Sequence, residues 1–216
     1  MMNFLKITLL LTFAFLVTKV FSQNTIQESR KSGNGVVNDH KFSLSTTYLS
    51  LLNFGEEKTN THHYEFHFGY KLTSKDKFSI KVATWKMFAP MGMPIQEQLK
   101  FDEMNFYPGR LRESGIGITY QRIIWKGVFA TVEILPQLET YYNLSNEKIA
   151  NGFKLYTSYH LGYHIPIFRD RVYLEPQIHC QYWPVNTNVP ESFEVMNNKW
   201  NKYFLFEPNL YIGFNF

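Results

Sequence analysis

From Phe42 to the carboxy-terminus, apolar and polar residues alternate with a period of two, in stretches separated by turn-forming residues. The clearest places Tyr64, Phe66, Phe68, Tyr70 and Leu72 against Glu65, His67, Gly69 and Lys71. Such alternation predicts a β-strand with one oily face and one polar face. Eight strands follow, over 42–54, 63–72, 77–88, 113–125, 128–142, 152–165, 171–183 and 203–216. In the fourth, Ile116, Ile118 and Tyr120 oppose Gly115, Gly117, Thr119 and Gln121; in the sixth, Phe153, Leu155, Tyr159 and Leu161 oppose Lys154, Ser158, His160 and Gly162. No segment with a helical period rivals them.

The connections alternate in length. Thr73 to Asp76, Lys126-Gly127 and Pro166 to Asp170 are short, whereas 89–110, 143–151 and 184–202 are long. Short turns at one end and long loops at the other are the pattern of an even-stranded up-and-down barrel in a membrane. Strands of about 9–11 tilted residues span a bilayer. Closure pairs every backbone donor, so an open sheet is excluded from lipid. The last stretch ends Tyr211-Ile212-Gly213-Phe214-Asn215-Phe216, and Phe204, Phe206, Leu210, Ile212, Phe214 and Phe216 share its oily register. This resembles the C-terminal signature of Gram-negative outer-membrane β-barrels, which end in alternating apolar residues and a final Phe. The chain is similar in pattern to the small eight-stranded OmpA, OmpX and OmpW type. The resemblance implies an all-β, closed antiparallel transmembrane barrel over 41–216. It also implies outer-membrane lipid and lipopolysaccharide as surroundings, and an insertion signal in Tyr211, Ile212, Phe214 and Phe216 read by the barrel-assembly machinery.

The amino-terminus fits export. Lys6 precedes an apolar run from Ile7 to Val17, and Val20-Phe21-Ser22 offers small residues for cleavage before Gln23. The run is too short to cross about 30 Å of hydrocarbon as a helix. Residues 23–40 are polar and aperiodic, reading as a flexible periplasmic tail. Without 1–22 the chain carries 20 Lys and Arg against 18 Asp and Glu, a net charge of +2, so the pI near 9.0 is no nucleic-acid footprint. The single cysteine, Cys180, excludes an internal disulfide framework and a multi-cysteine zinc site. With 20 Phe, 14 Tyr and 4 Trp at a mean hydropathy of −0.27, the composition suits a wall that is oily outside and polar inside.

That polar inside is where chemistry would lie. The inward positions predict a lumen network of Glu65, His67, Lys81, Glu133, His160, Glu175, His179 and Glu207, with further inward residues Lys77, Lys154 and Glu139. Hairpins symmetric about their turns put His160 between Glu133 and Glu175, His179 against Glu207, and His67 beside Lys81. A mutually satisfied network plugs the barrel and leaves a structural or surface-interaction role through the loops. Those loops carry Met91, Met93, Phe106, Tyr107, Phe193, Met196 and Trp200, suited to a protein partner or to packing over the mouth. The alternative is a lipid-modifying enzyme, an acyl hydrolase or transferase acting on lipid A or phospholipid, with Ser158, His160, Glu133 and Glu175 as the catalytic candidates. The His-Ser-Asn pattern of the lipid A deacylases is absent. A further alternative is a channel for small hydrophobic ligands through breaks at Pro136, Pro176 and Pro208, each of which predicts a bulge or interrupted pairing. No cofactor is implied. No metal site is expected either: His63, Glu65 and His67 share a face, but alternate strand residues lie nearly 7 Å apart. Trp125, Tyr142, Trp183 and Tyr203, near strand ends, are candidates for an interfacial aromatic girdle.

Overall fold

The structure, a computed structural model, describes residues 40–54, 59–98, 100 and 102–216. The expected leader, 1–22, and all of the polar tail but His40 lie outside the described residues. Nine strands form: β1 Phe42–Thr47, β2 Tyr64–Lys71, β3 Asp76–Met87, β4 Arg110–Trp125, β5 Val128–Tyr142, β6 Lys148–Tyr163, β7 Ile165–Ile167, β8 Val172–Thr187 and β9 Tyr203–Asn215. Every pairing is antiparallel. Sequence neighbours pair around the sheet, β1 pairs with β9, and β6 pairs with β8. The sheet therefore closes into a ring of eight positions, because β7 continues β6 past His164. At the seam, Phe42 and Phe216 exchange backbone hydrogen bonds of 3.0 and 2.9 Å.

The prolines act as their missing N–H requires. The β4–β5 ladder is interrupted between Gly115↔Gln137 and Ile118↔Ile134, beside Pro136. The β6–β8 register places Tyr163 against Pro176, and there β6 gives way to β7. Pro208 stands two residues from a bulge in β9, where the pairing shifts between His179↔Glu207 and Gln181↔Phe204 and Phe206 adopts φ 58°. The bulge overturns the expected register of the last strand. Phe204 points inward and is buried, while Tyr203 and Leu205 are exposed.

Three other expectations are corrected. Residues 42–54 are not one strand, because β1 ends at Thr47 and Tyr48–Phe54 form a 3₁₀ helix. Thr47 Oγ1 accepts a hydrogen bond from the Leu49 N–H at 3.2 Å, a local turn that competes with the ladder. The loop expected over 184–202 begins later, since β8 absorbs Pro184 beside a register shift and runs to Thr187. It then holds a helix, Glu191–Lys199. Trp183 is not a girdle residue: alternation with His179 and Gln181 turns it inward, and it is buried. Trp125 and Tyr203 are exposed.

The outward face is apolar around the whole ring. Phe66, Ile80, Ile118, Ile134, Leu161, Ile178 and Ile212 are all about half exposed. On β4 the apolar run Ile116, Ile118, Tyr120 is bracketed by exposed Arg112 and Arg122. Ten residues at about 3.3 Å each, tilted about 40°, separate those charges by about 25 Å along the barrel axis. Cys180 lies in this band, between Ile178 and Tyr182 and opposite Tyr159. Inside, Tyr173 lies so close over Gly213 that a Cβ there would clash with its ring. The aromatic ring fills the space the glycine leaves.

Candidate functional site

Three tiers of ion pairs are stacked along the lumen. Nearest the short turns, Glu175 accepts from Gln121 at 2.8 Å and lies 2.9 Å from His164 and 3.4 Å from Lys77. His164 reaches on to Asp170 in the turn at 2.9 Å, and Lys71 meets the same carboxylate at 3.0 Å. Burial acts to raise the Asp170 pKa, but the His164 hydrogen bond and the His164 and Lys71 charges outweigh it and hold the carboxyl below its ordinary value.

At mid-height, Lys81 stands between two carboxylates, 2.7 Å from Glu133 and 3.0 Å from Glu65. The lysine comes from β3 and its partners from β2 and β5, so the cluster crosses the lumen. Glu65 is also approached by His67 at 2.9 Å and His63 at 3.4 Å, and accepts from the Tyr211 hydroxyl. Toward the loops the motif recurs: Lys154 of β6 pairs with Glu113 of β4 and lies 2.9 Å from Glu139 of β5. Tyr141 donates to Glu139 at 2.6 Å. In a low-dielectric interior one ammonium holds two mutually repelling carboxylates in place, and removing the cation would leave both uncompensated.

Beyond the third tier, toward the loops, lies an aromatic cluster. Trp85, Tyr107, Leu111, Tyr141, Trp183 and Phe204 surround Phe193, which descends from the helix Glu191–Lys199 and is fully buried. Its ring centroid lies 5.0 Å from those of Tyr107 and Tyr141. The lid is tied down by Tyr107 Oη donating to Asn197 at 2.6 Å and Lys199 donating to Asn105 at 2.6 Å. Met93 is buried, and Met91 and Met196 pack against the cluster. Most of the loop residues picked out in the sequence thus pack against this cluster; among the described apolar residues of loops and turns, Phe54, Met104, Leu144, Phe168 and Val195 are strongly exposed.

All eight residues of the predicted lumen network face inward, and the pairs His67↔Lys81 and His179↔Glu207 are direct neighbours, the latter at 2.7 Å. His160 is the exception. Its strand neighbours are Thr131 and His179, not Glu133 and Glu175, because the β5–β6 ladder extends to Tyr142↔Lys148 and the β7–β8 ladder to Ile167↔Val172, so that neither hairpin is centred on the middle of its expected turn. Both ring nitrogens of His160 lack a hydrogen-bond partner, and its ring meets that of His179 edge-on at 4.9 Å. The catalytic candidates are likewise not joined into a relay. Ser158 faces Glu133 across the ladder, but Glu133 is held by Lys81, and Glu175 by His164, Lys77 and Gln121. Among the described residues no group of three or more His, Cys, Asp or Glu is arranged to hold a metal ion; Lys81 occupies the space beside Glu65. Within the proposed insertion signal, Ile212, Phe214 and Phe216 point outward, whereas Tyr211 is buried in the lumen.

Sequence reasoning placed Lys154 and Glu139 inside but missed Glu113, which lies near the start of β4, before the strand's most regular stretch. Its signal was present: Leu111 and Glu113 continue the inward register of Gly115 and Gly117.

No protein-family profile matches the chain, and no curated protein matches it. Among solved structures it is similar to Neisserial surface protein A, with a TM-score of 0.39 and 13% sequence identity, over 82% of this chain and 94% of that one.

Proposed function

We propose that the chain is an integral outer-membrane β-barrel, of the small OmpA, OmpX and OmpW kind, whose plugged lumen leaves a structural or surface-interaction role to the long loops. The observation that carries this reading is the inversion of inside and outside. The ring presents to its surroundings an uncharged, largely apolar band, about 25 Å between the bracketing arginines of β4, while its interior holds buried Lys81, Lys154, Glu65, Glu113, Glu133, Glu139 and Glu175. A water-soluble barrel would gain nothing from that distribution; a bilayer requires it. Support for the plug comes from the three ion-pair tiers and the Phe193 lid. Within this reading the outward Ile212, Phe214 and Phe216 serve as the assembly signal, and lipid and lipopolysaccharide contact the band.

The test is the refolded chain Gln23–Phe216 in lipid bilayers. A gel shift on boiling with no steady conductance is the expected result. Stable conductance would overturn the plug and favour transport; the absence of both a shift and a β-rich spectrum would overturn the membrane barrel itself.

A further inference from the structure

The outward face of the tall strands does not pass evenly from oil to water. On the paired strands β3 and β4 it steps from Val82 and Ile116, to Thr84 and Ser114, to Lys86 and Arg112, each pair being direct cross-strand neighbours. Thr84 and Ser114 join hydroxyls at 2.8 Å. Lys86 and Arg112 are then two cations placed directly opposite each other, an arrangement that costs stability in a sheet unless an anion lies between them. The same register runs on through Arg112↔Thr140 and Thr140↔Asn151. Four adjacent strands therefore line up an ammonium, a guanidinium, a hydroxyl and an amide in one outward row, on the loop side of the apolar band.

Among the described residues no carboxylate forms an ion pair with Lys86 or Arg112. The Lys86 ammonium is steered by the Tyr142 ring, 5.1 Å away, and donates to Asn146 Oδ1 at 2.6 Å. Those contacts fix its direction without neutralising its charge. At the opposite rim the comparable cation is answered: Arg122 meets Asp76 at 2.6 Å.

We infer that the row Lys86, Arg112, Thr140 and Asn151 binds the phosphate of a membrane lipid headgroup in the leaflet on the long-loop side. An ammonium and a planar guanidinium side by side offer several donors to phosphate oxygens. The hydroxyl and amide beside them suit the polar remainder of the headgroup, and the apolar band below receives the acyl chains. The position decides between lipid and soluble phosphate as the source, because the row meets the upper edge of the oily surface. This inference rests on the membrane reading above.

The experiment reconstitutes the mature chain in phosphatidylcholine vesicles with and without phosphatidylglycerol, and in vesicles containing lipid A. Lipids retained after detergent extraction are counted by native mass spectrometry. The native protein should retain the anionic lipid over phosphatidylcholine. Lys86→Gln with Arg112→Gln should lose that preference by about tenfold or more, each cation near an anionic surface adding about a fivefold factor. Arg122→Gln, at the other rim, should keep it. Insertion with no anionic preference, equal loss in Arg122→Gln, or displacement by millimolar inorganic phosphate as effective as by lipid would each overturn the site while leaving the barrel standing. Failure of the native chain to show a boiling-dependent gel shift would instead overturn the membrane reading, and the site with it.

Discussion

The wall of the barrel is built in two ways. Strands β3 to β6 have 12, 16, 15 and 16 residues and pair along most of their length. Beside them β1 and β2 have only 6 and 8, and the β1–β9 ladder stops at Thr47↔Tyr211 although β9 continues to Tyr203. The missing height is filled by the helix Tyr48–Phe54 and the segment leading into β2. Asn53 mimics a ladder there, donating from Nδ2 to His63 O at 2.8 Å and accepting at Oδ1 from the His63 N–H at 2.5 Å. On its other side the helix reaches β9 through its own Tyr48, whose Oη donates to Pro208 O at 3.3 Å. Backbone pairing makes the tall wall indifferent to most single side chains, whereas the short wall depends on a few of them.

The strongest way to break that contrast is Lys81→Met, since Lys81 joins Glu65 of the short wall to Glu133 of the tall one. Leaving both carboxylates uncompensated should cost about 3–5 kcal/mol. Urea unfolding in bilayers should show the loss, and adding Glu65→Gln and Glu133→Gln should recover most of it. An unchanged midpoint in the single variant would mean that the cluster does not couple the walls. Next comes Phe193→Ala, which removes the buried ring at the centre of the aromatic cluster at a cost of about 3 kcal/mol or more. Hydrogen exchange should rise across Glu191–Lys199 and stay unchanged in β4 and β5. Exchange rising equally in those strands would show that the lid is part of the wall.

Asn53→Ala sharpens the comparison on the short wall alone. Losing both bonds to His63 should cost about 1–3 kcal/mol locally, seen as faster exchange of the His63 amide with β4 unaffected. The smallest effect belongs to the turn. Asp170 has its carboxyl held below the usual value near 4. Its contribution is therefore complete above the unfolded value and is lost as pH falls through the lower folded one. Asp170→Asn should remove up to about 1 kcal/mol at neutral pH and flatten stability below about pH 4; an acid limb as steep as that of the native chain would assign the sensitivity elsewhere.

Period-two alternation made the ring legible because every strand separates lumen from surroundings. It placed β5 to the residue and put the interior charges on the correct face. It failed where a position has two local solutions. Residues 48–54 are apolar enough for a strand, yet Thr47 turns the chain into a helix. Phe204 fits the oily register until the bulge at Phe206 inverts it. Pairing between strands is harder still, because it depends on where each hairpin is centred: His179 opposite Glu207 and His67 opposite Lys81 follow from turns centred as expected, whereas both neighbours of His160 differ because the β5–β6 ladder reaches Lys148 and the β7–β8 ladder closes at Ile167↔Val172. The lid was legible as composition, Met and aromatic residues in two long loops, but not as geometry, since nothing local says that Phe193 points down.

Cys180 gives the molecule a depth gauge of its own. As the sole thiol of the chain, half-buried on the outward face among Ile178, Tyr182 and Tyr159, it takes a single environment-sensitive fluorophore without any engineering. Lipids carrying quenchers at graded positions along their acyl tails would then read how far the ring has sunk, and the moment at which emission shifts during refolding would time its entry.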